Sequence, residues 1–145
     1  MKQKLKLALV GAGERGQYCY APYAKMHGYE IEFVAVADPH KGRREKFVQD
    51  YHVPAEGVFE TAEQFFARPR MADAVLICTQ DSQHYAYACQ AIDLGYSILL
   101  EKPISPSVRE CLDLQRRAEE KGTQIMVCHV MRYTKFYRQD RKSVV

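Results

Sequence analysis

The sequence predicts an α/β fold in which helices cover both faces of a doubly wound parallel sheet. Short apolar runs of strand length alternate along the 145 residues with segments whose apolar residues recur at helical spacing. A glycine-rich turn directly follows the first apolar run and leads into a helix, as in sheets of this class. Six strand-like runs, with no internal repeat and no low-complexity linker, fit the strand order 3-2-1-4-5-6.

The first half of the chain supplies three strands and the helices between them. The strands are predicted at residues 4–10, 31–37 and 57–59, of which the last can form only a short edge strand. Residues 14–26 predict a helix that Pro22 disturbs, because proline lacks a backbone donor. A charged helix follows the second strand, and a capping-box pattern at residues 61–64 begins a small helix.

The second half repeats the alternation. Strands are predicted at residues 74–78, 97–100 and 124–128. Apolar residues recur at helical spacing over residues 85–92, and Gly95 ends that helix. Ser105 and Pro106 predict the cap and the first residue of the last helix, which ends at Gly122.

The turn after the first strand has the glycine spacing of a dinucleotide-binding site. Gly11 permits the tight turn, Gly13 lets the backbone approach a pyrophosphate, and Gly16 lets the following helix pack against the strand. The helix N-terminus offers free N–H groups and a positive dipole to the anion. We expect the whole turn to contact the cofactor: Gly11, Ala12, Gly13, Glu14, Arg15 and Gly16.

Asp38 follows the second strand and predicts which cofactor binds. It lies 22 residues after Gly16, close to the spacing of the acid that binds the adenosine ribose. Its carboxylate would accept hydrogen bonds from the ribose hydroxyls and would repel the 2′-phosphate of NADP, so the sequence favours NAD over NADP. Three basic residues follow Asp38 closely: Lys41, Arg43 and Arg44. Because they could bind the 2′-phosphate, NADP remains the alternative cofactor.

Polar residues after the later strands complete the predicted site, because ligands of such sheets lie beyond the carboxyl ends of the strands. These cofactor residues are Thr79, Gln80, His84, Glu101, Lys102 and Arg132. Lys102, held before Pro103, is also the predicted catalytic residue, since its ammonium could hydrogen-bond a substrate hydroxyl and help its proton leave. For His84 a bond to the backbone is the alternative, and Asp81 is predicted to cap a helix.

Composition excludes several other classes of function. The net charge of +3 is small and dispersed, and no basic run is interleaved with aromatic residues as nucleic-acid binding requires. The five cysteines include no CxxC pair and no histidine spacing is typical of zinc, so we expect reduced thiols, no metal and a cytoplasmic protein. No apolar run approaches the length of a membrane span.

Together these residues resemble the glucose–fructose oxidoreductase, inositol dehydrogenase and rhizopine catabolism (Gfo/Idh/MocA) family of NAD(P)-dependent oxidoreductases. The resemblance covers essentially the whole chain and is most specific at Glu101-Lys102-Pro103. It is carried by the glycine turn, Asp38, residues 73–79 with His84, residues 101–103, residues 131–133 and residues 136–137. It implies hydride transfer between nicotinamide and a sugar, an inositol or a related polyol or ketone, with Lys102 matching the family's catalytic lysine.

The resemblance also implies a division of the chain. Residues 1–129 would form the dinucleotide-binding Rossmann domain, and residues 130–145, which we expect to be helical, would begin the connection to a larger α+β domain that is absent here. In the family that domain carries a catalytic histidine and builds homo-oligomers. We therefore expect a small polyhydroxylated substrate bound through the missing domain, a homo-oligomeric full-length enzyme, and little activity from residues 1–145 alone.

Two other classes of function compete with this hypothesis. A nucleotide-binding module could sense the state of the cofactor or bind a partner without turning over a substrate. A methyltransferase-like fold could use the glycine turn and Asp38 for another adenosine ligand, although methyl transfer gives Lys102 no evident role. The sequence that the gene encodes after Val145 would show whether the protein is an enzyme or a non-catalytic module.

Overall fold

The computed structural model describes residues 3–135, which contain one six-stranded sheet. The strands, named β1 to β6, are Leu5–Val10, Ile31–Ala37, Val58–Phe59, Ala74–Ile77, Ser97–Leu100 and Ile125–Val127. Their spatial order is β3-β2-β1-β4-β5-β6, and every neighbouring pair is parallel. The predicted fold class and strand order are confirmed, and each strand lies within its predicted range.

The described part of the chain contains helices of three kinds. The α-helices, named α1 to α5, are Pro22–Met26, Lys41–Tyr51, Ala62–Phe66, His84–Asp93 and Val108–Lys121. A π-helix, Arg15–Tyr20, precedes α1, and 3₁₀ turns occupy Ala55–Gly57, Asp81–Gln83 and Val130–Tyr133. None of the helices described is long and apolar enough to cross a membrane.

The last residues of the six strands lie side by side in one row across the sheet. The parallel register makes this row Phe59, Ala37, Val10, Ile77, Leu100 and Val127. The turns that follow the strands therefore meet at one edge. In a doubly wound sheet this is the edge at which ligands bind.

Both faces of the central strands are buried, as a doubly wound sheet requires. On β1, Ala8 and Val10 belong to a core cluster that includes residues of α3, α4 and α5. Leu7 and Leu9 belong to a second cluster, on the side of α1 and α2. The alternation of side chains along the strand thus separates two apolar layers.

The helix predicted at residues 14–26 is divided at Pro22. The Ala21 N–H donates to the Gly16 carbonyl at 3.0 Å, which closes the π-helix, and α1 begins at Pro22. Proline has no N–H to continue the ladder, but the first residue of a helix does not need one. The predicted disturbance is confirmed. It leaves Tyr20 on a π-helical turn, a feature that is frequent at functional sites.

The connection from β5 to α5 differs from its prediction. Ser107, rather than Ser105, caps α5, because its Oγ accepts the Glu110 N–H at 3.5 Å. The Ser105 hydroxyl instead accepts the Ser107 N–H at 2.9 Å and bonds the Glu110 carboxylate. The helix therefore begins at Val108 instead of Pro106.

One of the two other predicted caps is present. Thr61 caps α3 by accepting the Gln64 N–H at 3.2 Å, although the Gln64 side chain accepts the N–H of Glu60 rather than that of Thr61. The cap predicted at Asp81 is wrong. Asp81 is exposed inside its 3₁₀ turn, and Gln80 is the residue that precedes the turn.

Candidate functional site

The three glycines of the turn after β1 lie in different surroundings. Gly11 has a φ of +94°, and a Cβ there would lie 2.6 Å from the Cys78 carbonyl oxygen. A Cβ on Gly16 would lie 2.5 Å from the Gly11 carbonyl oxygen. A Cβ on Gly13 would meet no atom within 4 Å. Gly11 and Gly16 are therefore required by the packing of the turn itself, whereas Gly13 leaves open space beside the backbone.

Asp38 connects the end of β2 to the glycine turn. The residue is only 4% exposed. One carboxylate oxygen accepts the Ala12 N–H at 2.7 Å, and the other accepts the His40 N–H at 2.8 Å. An ionised carboxylate offers about four lone-pair sites, so two backbone donors leave capacity for two ribose hydroxyls.

The basic residues after Asp38 are not equivalent. Arg44 is buried, and its guanidinium donates to the Asp38 carbonyl at 2.7 Å and to the Glu60 carboxylate at 3.4 Å. Lys41 is exposed and pairs with Glu45 at 3.7 Å. Arg43 is exposed at the start of α2. Of the three, Arg43 is thus the one whose guanidinium has no hydrogen bond or ion pair within residues 3–135.

Thr79 follows β4 beside the glycine turn. Its hydroxyl oxygen is buried and finds no hydrogen-bond partner among the described residues. Buried polar groups are almost always hydrogen-bonded, and a ribose or phosphate oxygen of a nucleotide would supply the missing partner. Gln80, the next residue, is exposed and precedes the 3₁₀ turn.

Glu101 connects three parts of the site. It is 5% exposed, and its Oε1 accepts the Tyr20 hydroxyl and lies 3.5 Å from Arg15 Nε. Its Oε2 accepts the Lys102 N–H at 3.0 Å. Burial raises the pKa of Tyr20 well above its ordinary value, and hydrogen bonds to Cys128 and Glu101 raise it further. Tyr20 is therefore a neutral donor that fixes this carboxylate.

Tyr20 is the residue that the sequence-based prediction missed. It lies 81 positions from Glu101, and an aromatic residue in the first helix is ordinarily assigned to the core. The one local signal is Pro22, which ends the π-helical turn on which Tyr20 stands. That signal indicates a break in the helix but does not identify the partner.

Lys102 lies at the common edge of the sheet, directly after Glu101. Its side chain is exposed, and within the described range its ammonium has neither a hydrogen bond nor an ion pair. The Lys102–Pro103 peptide is cis. The structure thus places the predicted catalytic ammonium where a ligand at this edge could reach it.

His84, at the start of α4, contacts backbone on both sides of its ring. It is 1% exposed. Its Nδ1 lies 2.6 Å from the Pro103 carbonyl oxygen, and its Nε2 lies 3.2 Å from the Thr79 carbonyl oxygen. This geometry favours the backbone-bonding alternative over contact with a ribose.

Arg132 follows β6, the last strand of the sheet. It is exposed on the 3₁₀ turn Val130–Tyr133 after β6 and makes no ion pair with another described residue. The described beginning of the predicted helical tail is thus a 3₁₀ turn. Residues 136–145, which include Phe136 and Tyr137, lie outside the described residues.

The buried thiols Cys78 and Cys128 are not activated, and no metal centre is formed in the described part of the chain. All five cysteines are free thiols. Burial raises the pKa of Cys78 and that of Cys128 above the ordinary thiol value, so both stay protonated at neutral pH. Within residues 3–135, no three His, Cys, Asp or Glu side chains are grouped so that they could hold a metal ion.

Comparison with known proteins adds a family to this geometry. Residues 5–129 match the model of the family described as "Oxidoreductase family, NAD-binding Rossmann fold". The scyllo-inositol 2-dehydrogenase (NAD(+)) of Bacillus subtilis (strain 168) is 27% identical over 146 residues, which cover 99% of this chain and 41% of that protein. The scyllo-inositol 2-dehydrogenase (NADP(+)) IolW of the same strain is 24% identical over 141 residues, or 97% and 37% of the two chains. The chain spans about two fifths of the length of these relatives.

A solved structure agrees with the fold. The WlbA dehydrogenase from Bordetella pertussis, in complex with NADH and UDP-GlcNAcA, superposes with a TM-score of 0.85 at 19% identity. The match covers 98% of this chain and 42% of that one. At this identity the likeness shows the Rossmann fold alone.

Proposed function

The chain belongs to the Gfo/Idh/MocA family of oxidoreductases with an NAD-binding Rossmann fold, and we propose that it is the cofactor-binding part of an enzyme that moves hydride between NAD and a sugar, an inositol or a related polyol or ketone. The place of Lys102 carries this proposal. Its exposed ammonium follows β5 at the sheet edge where the glycine turn and Asp38 also lie. Family membership favours an enzyme over a non-catalytic module or a methyltransferase-like protein.

The described residues fit a dinucleotide. Gly13 leaves room for a pyrophosphate beside the turn, and the helix that follows offers its N-terminal N–H groups. Asp38 would accept the adenosine ribose hydroxyls, and the Thr79 hydroxyl would bond an oxygen of the cofactor. We assign the remaining contacts to Glu14, Arg15, Gln80, Glu101 and Arg132. When NAD is bound, its nicotinamide supplies the acceptor for the hydride.

Lys102 would act on the substrate oxygen. Its ammonium donates a hydrogen bond to the hydroxyl and stabilises the negative charge that develops on the oxygen as the hydride leaves. The hydroxyl proton must pass to a base within hydrogen-bond reach. The family resemblance implies that this base is a histidine of the domain that residues 130–145 would lead to.

The proposal also covers the substrate class, the division into domains and the oligomeric assembly. The inositol dehydrogenases among the relatives support a polyhydroxylated substrate. We place the Rossmann domain at residues 1–129 and the start of the connection at residues 130–145. A homo-oligomer is the expected assembly. A cytoplasmic location agrees with five free cysteines.

The test is a steady-state assay of the full-length protein with NAD⁺ and a panel of inositols and sugars. Turnover of at least one polyol is expected, and Lys102→Ala should lower kcat by about 10² to 10³, the usual cost of removing one donor to a developing oxyanion. Lys121→Ala, at the exposed end of α5, is the matched control and should keep the wild-type rate. Unchanged turnover in Lys102→Ala would remove Lys102 from the chemistry. NADH binding without turnover of any substrate would favour the non-catalytic module.

A further inference from the structure

His84 is a buried titratable residue to which the proposed chemistry gives no role. It begins α4, and its ring lies between the segment after β4 and the turn after β5. The polar atoms next to the two ring nitrogens are backbone carbonyl oxygens, of Pro103 and Thr79, rather than side-chain atoms. A buried imidazole with such contacts holds two pieces of backbone at a fixed separation.

The turn that carries Lys102 is fixed on both sides of this residue. Before it, the Glu101 N–H donates to the Ile77 carbonyl at 3.0 Å, and the Lys102 N–H donates to the Glu101 carboxylate at 3.0 Å. After it, the Pro103 carbonyl oxygen lies 2.6 Å from His84 Nδ1. Because nothing in residues 3–135 holds the ammonium itself, its position depends on these backbone contacts.

The two ring nitrogens have different tasks. A carbonyl oxygen only accepts, and a neutral imidazole carries one N–H. The shorter contact assigns that hydrogen to Nδ1, as the donor to Pro103. With the hydrogen on Nδ1, Nε2 has none to donate, so its 3.2 Å approach to the Thr79 carbonyl oxygen is a contact and not a hydrogen bond.

We propose that His84 is a positioning residue for Lys102, whose turn it holds to the end of β4 through a hydrogen bond from Nδ1 to the Pro103 carbonyl. The inference rests on the proposed function, since it gives His84 a part in the reaction only through Lys102. A misplacement of about 1 Å can cost about 10²-fold in rate, so loss of this bond should lower kcat. Cofactor binding at the glycine turn and Asp38 should change little.

Two amide substitutions test the roles of the two ring nitrogens of His84 one at a time. The side-chain N–H₂ of asparagine reaches the place of Nδ1, whereas that of glutamine reaches the place of Nε2. His84→Asn therefore keeps a donor for Pro103, whereas His84→Gln places a donor only opposite Thr79. Both substitutions leave a polar side chain at the same buried position, and thermal melting verifies that each variant is folded.

The experiment compares full-length wild type, His84→Asn and His84→Gln by two measurements. In steady-state assays His84→Gln should lose about 10²-fold in kcat with a KM for NAD⁺ near that of wild type, and His84→Asn should recover most of the loss. Hydrogen exchange followed by mass spectrometry should show faster exchange in residues 101–107 of His84→Gln but not of His84→Asn. Residues 41–51, in α2, serve as the internal reference.

The outcomes separate this inference from the proposed function. Equal behaviour of the two variants in both measurements, or unchanged exchange of residues 101–107 in His84→Gln, overturns the positioning role. Faster exchange over α2 as well as over residues 101–107 also overturns it, because a general loss of stability then explains the effect. Should the wild-type protein turn over no substrate, the proposed function fails. The exchange comparison then decides by itself whether His84 holds the turn.

Discussion

At the scale of single residues, two buried carboxylates hold the turns of the site in place. Asp38 accepts the N–H groups of Ala12 and His40, so it joins the glycine turn to the segment after β2. Glu101 joins the π-helix to the backbone of Lys102. Hydrogen bonds to charged groups are typically worth about 1.5–3 kcal/mol. Contacts within the protein itself thus fix the two turns that the candidate site uses.

We expect Asp38→Ala to weaken NADH binding by about 10- to 100-fold, because the variant loses a charged acceptor of the ribose hydroxyls. Wild type should bind NADH more tightly than NADPH, since Asp38 repels a 2′-phosphate and Arg44 is engaged by the Asp38 carbonyl and Glu60. Calorimetric titration of both cofactors measures these affinities.

The matched control is Asp93→Ala, which removes an exposed carboxylate at the end of α4 and should titrate as wild type does. Equal NADH affinity of Asp38→Ala and wild type would exclude Asp38 from the cofactor site. Tighter binding of NADPH than of NADH by wild type would instead make Arg43 the candidate phosphate ligand.

At the scale of the element, two glycines of the turn after β1 have different roles. Gly16 is needed for close packing of the turn, whereas Gly13 leaves space for a ligand. Gly13→Ala should leave the melting temperature close to that of wild type but weaken NADH binding, because the added methyl enters open space where a pyrophosphate would lie. Gly16→Ala should lower the stability by about 1–3 kcal/mol, since its Cβ would lie 2.5 Å from the Gly11 carbonyl oxygen. Thermal melting and NADH titration of the pair measure both effects. A Gly13→Ala protein that binds NADH as wild type does would contradict the role of this glycine.

The contact between α4 and α5 is the second feature at this scale. The Tyr85 hydroxyl donates to Asp113 at 2.7 Å, and Arg116 and Arg117 bond the same carboxylate. The hydrogen bond from Tyr85 and those from the two arginines lower the pKa of Asp113 below its ordinary range. A carboxyl whose pKa is lower in the folded state stabilises that state above its unfolded pKa, and this stabilisation is lost as the pH falls through the folded pKa.

Asp113→Asn should therefore unfold more easily than wild type at neutral pH, and the difference should shrink as the pH falls below about 4, where the unfolded carboxyl is protonated. Urea denaturation over a series of pH values measures the free energy of unfolding. Asp93→Asn, on an exposed aspartate, is the control and should show little difference at any pH. A difference for Asp113→Asn that stays constant into acid would show that charge is not its cause.

At the scale of the whole molecule, the sheet could be predicted and its side-chain contacts could not. Alternating apolar runs and the paired signals of the glycine turn and Asp38 are readable along the chain, and they led to the correct strand order. The bond of Tyr20 to Glu101 joins residues 81 positions apart, and that of His84 to Pro103 joins residues 19 apart. Such partners depend on which strand ends the register brings together, and the periodicity of one segment does not contain that information.

The chain as a whole also provides a test of where its catalytic base lies. The buried titratable groups at the site edge are engaged by the backbone: Asp38 and Glu101 accept N–H groups, and His84 faces two carbonyls. General acid–base help is worth about 10² to 10⁴ in rate. We therefore expect residues 1–145 to bind NADH but to oxidise polyols at least about 10²-fold more slowly than a protein extended by the downstream sequence of its gene. Calorimetric titration shows whether the shorter chain is loaded with cofactor, and assays of both proteins against the same inositols and sugars compare their rates. Equal turnover by the two would place the complete catalytic set, base included, within residues 1–145.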